Sequence, residues 1–136
     1  MELLKYAIYI AVKYAAYFGW CFAGAGLLAP ARPRRLRLAA LLGAGRLLLG
    51  IGAGLFIMLA ALSMNNATRN APLTYLSIYV PVRVVEWTLF HLLISARFQG
   101  ARSIGWVVGG VAVSCLADIP IGIMEGGVVP VGRPFC

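Results

Sequence analysis

The stretch from Leu73 to Ser95 places the strongest constraint on how this chain folds. It is long and apolar enough to cross a bilayer, which takes about 20 residues of helix, yet it contains Arg83, Glu86 and His91. A charged side chain at the centre of a membrane costs about 3 kcal/mol even on lenient insertion scales, so such residues normally face a partner group or the protein interior. The rest of the chain is therefore expected to supply partners for them.

The composition is that of a membrane protein with one domain over residues 1–136. Hydrophobic residues make up 62% of the chain and charged residues 12%, whereas soluble domains have about 25% charged residues. The net charge of +8 comes mainly from short links between apolar segments, where topology signals lie. Nucleic-acid binding is therefore not expected. Frequent Ala, Gly, Arg and Leu suggest a bacterial source and hence the inner (cytoplasmic) membrane.

Four apolar segments are predicted to be transmembrane helices, and the links between them predict their orientation. The helices are expected at residues 5–28, 38–63, 73–95 and 104–124. The links at 30–37 and 97–103 carry six arginines, against three basic residues in the outer segments, so the positive-inside rule places both links in the cytoplasm. The predicted fold is an all-α membrane protein, a compact bundle of four transmembrane helices with both termini on the outer side.

The first basic link has two possible roles. It contains four arginines between residues 30 and 37, and topology determination alone explains them. The alternative is a contact with anionic lipids, because each basic residue near such a surface contributes about 1 kcal/mol. The link between the second and third helices, at 63–72, is polar and is predicted to be the external turn.

One face of the third helix carries a polar and aromatic row. Spacings of four, four, three and four place its members on the same side of a helix; they are Tyr75, Tyr79, Arg83, Glu86 and Phe90. Pro81 lacks an N–H group and crowds the carbonyl four residues earlier. A kink or a locally opened backbone is therefore predicted near Ser77.

Depth along antiparallel helices matches the buried charges in two pairs. A helix rises about 1.5 Å per residue. Measured from the cytoplasmic side, Arg83 and Asp118 therefore lie at a depth of about 20 Å, and Arg46 and Glu86 at a depth of about 12 to 15 Å. Opposite charges at matched depth predict two ion pairs, Arg83 with Asp118 and Arg46 with Glu86, each joining two helices. His91 is expected to hydrogen-bond to a neighbouring helix.

The first helix carries an aromatic stripe with a lysine in it. Its members recur at spacings of three or four; they are Tyr6, Tyr9, Lys13, Tyr17 and Trp20. The simpler interpretation is an interfacial aromatic belt, with Lys13 extending to the lipid headgroups. The alternative is a surface in which Lys13 lies against aromatic rings. Lys13 has no carboxylate partner in the two predicted pairs, so headgroups, an anionic substrate or another subunit would have to match it.

Glycines on two of the predicted helices are expected at helix contacts. Small residues let transmembrane helices approach closely, and the candidates are Gly43, Gly50, Gly54, Gly105 and Gly109. A phosphate-binding loop would need a strand before the glycines and a helix after them. Neither is expected inside an apolar segment, so the glycines predict helix packing.

No metal or cofactor is predicted. The three cysteines, Cys21, Cys115 and Cys136, show no CxxC spacing, and no histidine pair lies near them. A single histidine cannot supply bis-histidine haem ligation by itself.

Three classes of function stay open. The favoured one is a non-catalytic small subunit or accessory protein of a larger membrane complex, in contact with lipids and with other subunits or copies of itself. Buried ion pairs suit a fixed partner and register. The alternative is a small oligomeric transporter or channel with a charged site beside Pro81. The third class is an intramembrane lipid-modifying enzyme using His91, Glu86 and Asp118, but no motif fixes their geometry, so no catalytic residue is assigned.

Overall fold

Every regular element in the described part of the chain is helical. The computed structural model describes residues 2–31 and 33–124. The elements are α1 (Glu2–Leu28), α2 (Arg35–Thr68), α3 (Ala71–Thr74), a π-helical segment (Tyr75–Tyr79), α4 (Val80–Ile94) and α5 (Ala101–Met124). The third, fourth and fifth of these run on from one another and form one long helix, called here the third helix. The predicted all-α class is confirmed.

Two helices are long and apolar enough to cross a membrane, and a third qualifies if its two halves form one span. The two are Pro72–Ile94 and Ala101–Pro120. The third candidate is α2, which bends by 46° between Arg35–Gly52 and Phe56–Met64. Glycines at 50, 52 and 54 surround this bend, and glycine is a common cause of helix kinks. The predicted C-terminal orientation and Cys136 fall on residues outside the described part.

The turn between α2 and the third helix, which was predicted to be external, is shorter than predicted. Helix α2 continues to Thr68, which leaves Arg69 and Asn70 as the connection. The Asn70 side chain accepts a hydrogen bond from the backbone N–H of Leu73 at 3.0 Å, so it caps the next helix. Arg69 has a left-handed backbone with φ of 50°, which reverses the chain within two residues.

The predicted opening of the backbone before Pro81 takes the form of the π-helical segment. It covers Tyr75–Tyr79 and ends directly before Val80, where α4 begins. A π turn contains one extra residue, which accommodates the proline ring without a clash against the Ser77 carbonyl. Tyr75 and Tyr79 are both buried on the inner face, with stacked rings 5.1 Å apart between centroids.

Helices α1 and α4 occupy the centre of the structure. Each of them contacts the other and also both α2 and α5, whereas no contact joins α2 to α5 among the described residues. Trp87 on α4 is fully buried between the other helices. Its ring makes edge contacts with Tyr17 on α1 at 5.9 Å and with Trp106 on α5 at 5.2 Å. Packing between these aromatic rings therefore joins α1, α4 and α5 at the centre of the structure.

Glycines allow the closest helix contacts, with one exception. A Cβ atom on Gly43 would lie 3.1 Å from the backbone of Phe18, so α1 and α2 meet there through their backbones. The Trp20 ring covers Gly109, and Gly50 and Gly54 are buried. Gly105 differs from the prediction, because it is exposed on the outer side of α5 with nothing within 4 Å of an added Cβ.

Candidate functional site

The carboxylate of Asp118 is the centre of a polar cluster that joins three helices. Its Oδ1 atom accepts a hydrogen bond from Tyr9 Oη at 3.1 Å and lies 2.8 Å from Lys13 Nζ, both on α1. Its Oδ2 atom accepts a hydrogen bond from Tyr75 Oη at 2.9 Å and pairs with Arg83, both on the third helix. Asp118 itself lies on α5 and is 1% exposed. Four donors therefore surround one buried carboxylate.

Arg83 is buried, and both of its terminal guanidinium nitrogens have hydrogen-bond partners. One guanidinium nitrogen, Nη2, donates to Asp118, and the other, Nη1, donates to Tyr75 Oη and to Cys115 Sγ, the latter at 3.1 Å. The guanidinium carbon also lies 5.2 Å from the centre of the Tyr75 ring. The predicted ion pair between Arg83 and Asp118 is present, and a tyrosine hydroxyl bridges its two members.

Lys13 lies inside the protein, which corrects the expectation that it extends to lipid headgroups. Its Nζ atom is paired with Asp118 and lies 4.7 Å from the centre of the Tyr9 ring. Tyr9, Lys13 and Tyr17 are each 2% exposed, so this part of the stripe faces protein rather than an interface. Depth matching assigned one partner to each carboxylate, whereas the two oxygens of Asp118 accept cations from two different helices.

The second predicted ion pair, Arg46 with Glu86, is also present. Arg46 Nη2 lies 2.5 Å from Glu86 Oε2, and the two side chains are 2% and 8% exposed. The Arg46 guanidinium also lies over the rings of Tyr17 at 5.1 Å and Trp87 at 5.8 Å. Its Nε atom has no hydrogen-bond partner among the described residues. The guanidinium of Arg46 is therefore stabilised by the faces of two aromatic rings in addition to the one carboxylate.

Among the described residues, buried cations outnumber buried anions. Lys13, Arg46 and Arg83 are matched by Glu86 and Asp118, and all five are among the buried residues. Breaking a buried pair by removing one partner costs about 3–5 kcal/mol, because the remaining charge stays buried. The cluster can therefore fix the relative positions of the helices. It lies beside the π-helical segment that contains Tyr75, a kind of irregularity often found at functional sites.

His91 does not make the hydrogen bond that was expected of it. Its side chain is fully buried, and neither ring nitrogen has a hydrogen-bond partner in the described part of the chain. The ring packs against Phe98 at 4.8 Å and Trp106 at 6.0 Å between centroids. An aromatic environment therefore surrounds His91, rather than the carboxylates of Glu86 and Asp118.

Among the described residues, no group of three or more His, Cys, Asp or Glu side chains is arranged to hold a metal ion. Cys21 is a buried free thiol, and Cys115 is a free thiol that is partly exposed. Cys115 accepts the hydrogen bond from Arg83, so its sulfur takes part in the Asp118 cluster rather than in a separate site.

Sequence reasoning missed a row of small residues on the outside of α1. Ala7, Ala11, Ala15, Gly19 and Ala23 are all exposed and recur at intervals of four, so each lies about 40° around the helix from the one before, and together they form a continuous ridge of small residues. We call this row the outer face of α1. The spacing is visible in the sequence, but the first helix was interpreted from its aromatic stripe, which lies two positions away.

The phenolic ligands of Asp118 were missed for a different reason. Tyr9 and Tyr75 were assigned to aromatic rows, and a row does not reveal that a hydroxyl reaches a carboxylate on another helix.

Comparisons of this chain with protein-family models, curated proteins and solved structures found no match.

Proposed function

We propose that this protein is a non-catalytic small integral membrane subunit or accessory protein of a larger membrane complex. In this proposal α1, α2, the third helix and α5 form a bundle of four transmembrane helices in a bacterial inner membrane. Helix α1, with 27 residues, spans about 40 Å at 1.5 Å per residue, enough to cross. The basic links before α2 and α5 lie in the cytoplasm and both termini lie outside.

The observation that carries this proposal is that the buried charges pair with one another inside the chain. The side chains in the three ion pairs are between 2% and 8% exposed. A transport site must exchange its ligand with water on each side of the membrane, whereas these carboxylates are already occupied by cations of the same chain. Paired in this way, the charges are suited to fixing helix positions, which leaves the outer surface to contact partners.

The outer face of α1 is the surface we assign to a partner helix. Its residues lie two positions from the inner row of Tyr9, Lys13 and Tyr17, which is about 200° around the helix. An added Cβ on Gly19 meets nothing within 4 Å. Because alanine and glycine side chains are small, a second helix can approach the backbone closely along this row.

The proposal is tested by extracting the tagged protein from its native membrane into nanodiscs and identifying the retained proteins by mass spectrometry. We expect another membrane protein in stoichiometric amount. Gly19→Leu should release it, because leucine separates the helices. The matched control is Gly105→Leu, since Gly105 is also exposed with an open surrounding; this variant should retain the partner. A wild-type protein extracted without any stoichiometric membrane partner would contradict the proposal.

A second candidate, a small oligomeric transporter or channel, is favoured by the position of the Asp118 cluster. In the described part of the chain, three buried cations are matched by two buried carboxylates, and the Asp118 cluster adjoins an irregular helix, as many transport sites do. The variant Glu86→Gln separates the two candidates. A transporter would lose flux and keep its abundance and assembly, whereas a structural subunit would lose abundance or dissociate from its complex.

A further inference from the structure

A groove lies on the surface where the first basic link joins α2. Its volume is about 360 Å³, and it is lined by Pro33, Arg34, Arg37, Leu38 and Leu41. We call it the α2 groove. Arg34 has a left-handed backbone with φ of 61°, and its carbonyl accepts a hydrogen bond from the backbone N–H of Leu38 at 3.1 Å. The link is therefore folded tightly onto the first turn of the helix.

The two arginines of the α2 groove lack an acidic partner within the described chain. Both are exposed. Of the four acidic residues, Asp118 and Glu86 are occupied by buried cations. The other two are Glu2, which begins α1 about 40 Å from this link, and Glu125, which follows α5. No acidic side chain of the described residues therefore pairs with these arginines, and a charge-complementary ligand for the groove is an anion from outside the described chain.

The apolar wall of the groove continues along α2. Leu41 and Leu48 are 63% and 66% exposed and lie seven residues apart, so they share one side of the helix. Arg34 lines the groove together with Leu41, just before the helix begins. A ligand that fits this surface has a negative charge at one end and a hydrocarbon chain extending from it. Nucleic acids and free phosphate have no such chain.

We propose that the α2 groove binds an anionic phospholipid, with the phosphate at Arg34 and Arg37 and an acyl chain along Leu41 and Leu48. This inference rests on the part of the proposed function that places the link before α2 at the cytoplasmic membrane surface. At that level the phosphates of the inner leaflet meet the guanidinium groups and the acyl chains meet the leucines. The site contains none of the residues assigned to the partner surface of α1.

The test measures phosphatidylglycerol bound to the purified full chain. The protein is placed in phosphatidylcholine nanodiscs with increasing phosphatidylglycerol, and retained lipid is counted by native mass spectrometry. The double variant Arg34→Gln/Arg37→Gln should bind phosphatidylglycerol about 25-fold more weakly, as expected for the loss of two basic contacts. The matched control is Arg97→Gln/Arg102→Gln, which removes the same charge from exposed positions of the other basic link; it should change binding less than about 3-fold.

A second variant tests whether the ligand is a lipid or only a phosphate. Leu41→Gln should weaken phosphatidylglycerol binding, and soluble glycerol phosphate should not compete with the lipid. The inference is overturned by equal losses in the two arginine double variants, by no loss in Arg34→Gln/Arg37→Gln, or by full competition from glycerol phosphate. Because the purified chain carries no partner protein, failure here is independent of the search for a stoichiometric subunit.

Discussion

Lys13 Nζ lies 2.8 Å from Oδ1 of Asp118, while the other oxygen of that carboxylate pairs with Arg83. One anion on α5 thus compensates a cation on α1 and a cation on α4. The three helices are fixed by a single side chain, since the tyrosine hydroxyls that complete the cluster also converge on it. The cluster is therefore asymmetric, and its anion is harder to replace than either of its cations.

We expect Asp118→Asn to be the most destabilising substitution in the cluster. It leaves both Lys13 and Arg83 buried without a counter-charge, and removal of one partner from a buried pair already costs about 3–5 kcal/mol. The midpoint of thermal unfolding in nanodiscs, followed by circular dichroism, should fall by about 10 °C or more. An unchanged midpoint would show that the carboxylate does not hold the helices together.

Lys13→Met provides the comparison for Asp118→Asn. Asp118 keeps Arg83 and both tyrosine donors in this variant, so the unfolding midpoint should fall less than in Asp118→Asn. In the double variant Asp118→Asn/Lys13→Met, one unpaired buried cation is removed, and we expect partial recovery of the midpoint relative to Asp118→Asn alone. A purely additive double variant would show that the two side chains are not energetically coupled.

The pair Arg46 and Glu86 should be replaceable by apolar residues. Each single variant, Arg46→Met or Glu86→Leu, leaves one buried charge and should lower the free energy of unfolding by about 3–5 kcal/mol. The double variant leaves none, and apolar replacements of buried ion pairs are often neutral or stabilising. We expect the free energy of unfolding of the double variant to be within about 1 kcal/mol of the wild-type value, or higher. If the double variant were as unstable as the singles, the pair would have a role beyond compensating its own charges.

Gly43 and Gly105 should respond in opposite ways to the same added methyl group. At Gly43 the new Cβ would lie 3.1 Å from the Phe18 backbone, which cannot rotate away, so Gly43→Ala should destabilise by about 1–3 kcal/mol. At Gly105 nothing lies within 4 Å, and alanine has the higher helix propensity. Gly105→Ala should therefore be neutral or slightly stabilising in the same unfolding measurement.

Much of the arrangement was predictable because helices have a fixed rise and period. The row from Tyr75 to Phe90 predicted one buried face, since spacings of three and four select one side of a helix. Equal rise along antiparallel helices brought Arg83 to the depth of Asp118 and Arg46 to that of Glu86. Proline chemistry predicted the irregular backbone before Pro81, although not that it would be a π turn.

The remaining features depend on quantities that spacing does not contain. Depth along a helix does not say how many partners one carboxylate accepts, so Lys13 was left without Asp118. The rotation of α5 about its own axis decides that Gly109 lies under Trp20 while Gly105 faces outward. A glycine pattern alone gives no such rotation. His91 was assigned a hydrogen bond from its chemistry, whereas the aromatic rings of its neighbours determine its surroundings.

The proposed orientation predicts which positions a membrane-impermeant maleimide can reach. In a background with the native cysteines replaced by alanine, Arg69→Cys in the external turn should be labelled in intact cells. Arg34→Cys and Arg97→Cys, in the two basic links, should be labelled only after the membrane is permeabilised. All three positions are exposed, so a difference in labelling reports the side of the membrane. Labelling of Arg34→Cys in intact cells would contradict the proposed topology.

His91→Leu is expected to stabilise the protein, which is unusual for a substitution in a core. Both ring nitrogens of His91 are buried without a hydrogen-bond partner among the described residues, and a buried polar group in that state costs about 1–3 kcal/mol. Leucine removes the polar atoms and keeps apolar contact with Phe98 and Trp106, so the unfolding midpoint should rise.

The control for His91→Leu is His91→Asn, which keeps unsatisfied polar atoms and loses the ring contacts; its midpoint should fall. The comparison separates the two possible roles of the imidazole. If His91 is only a poorly satisfied core residue, leucine improves the packing environment and asparagine worsens it. If both variants lower the midpoint and also release a bound partner or lipid, the nitrogens of His91 have a ligand from outside the described chain, and His91 belongs to an interface.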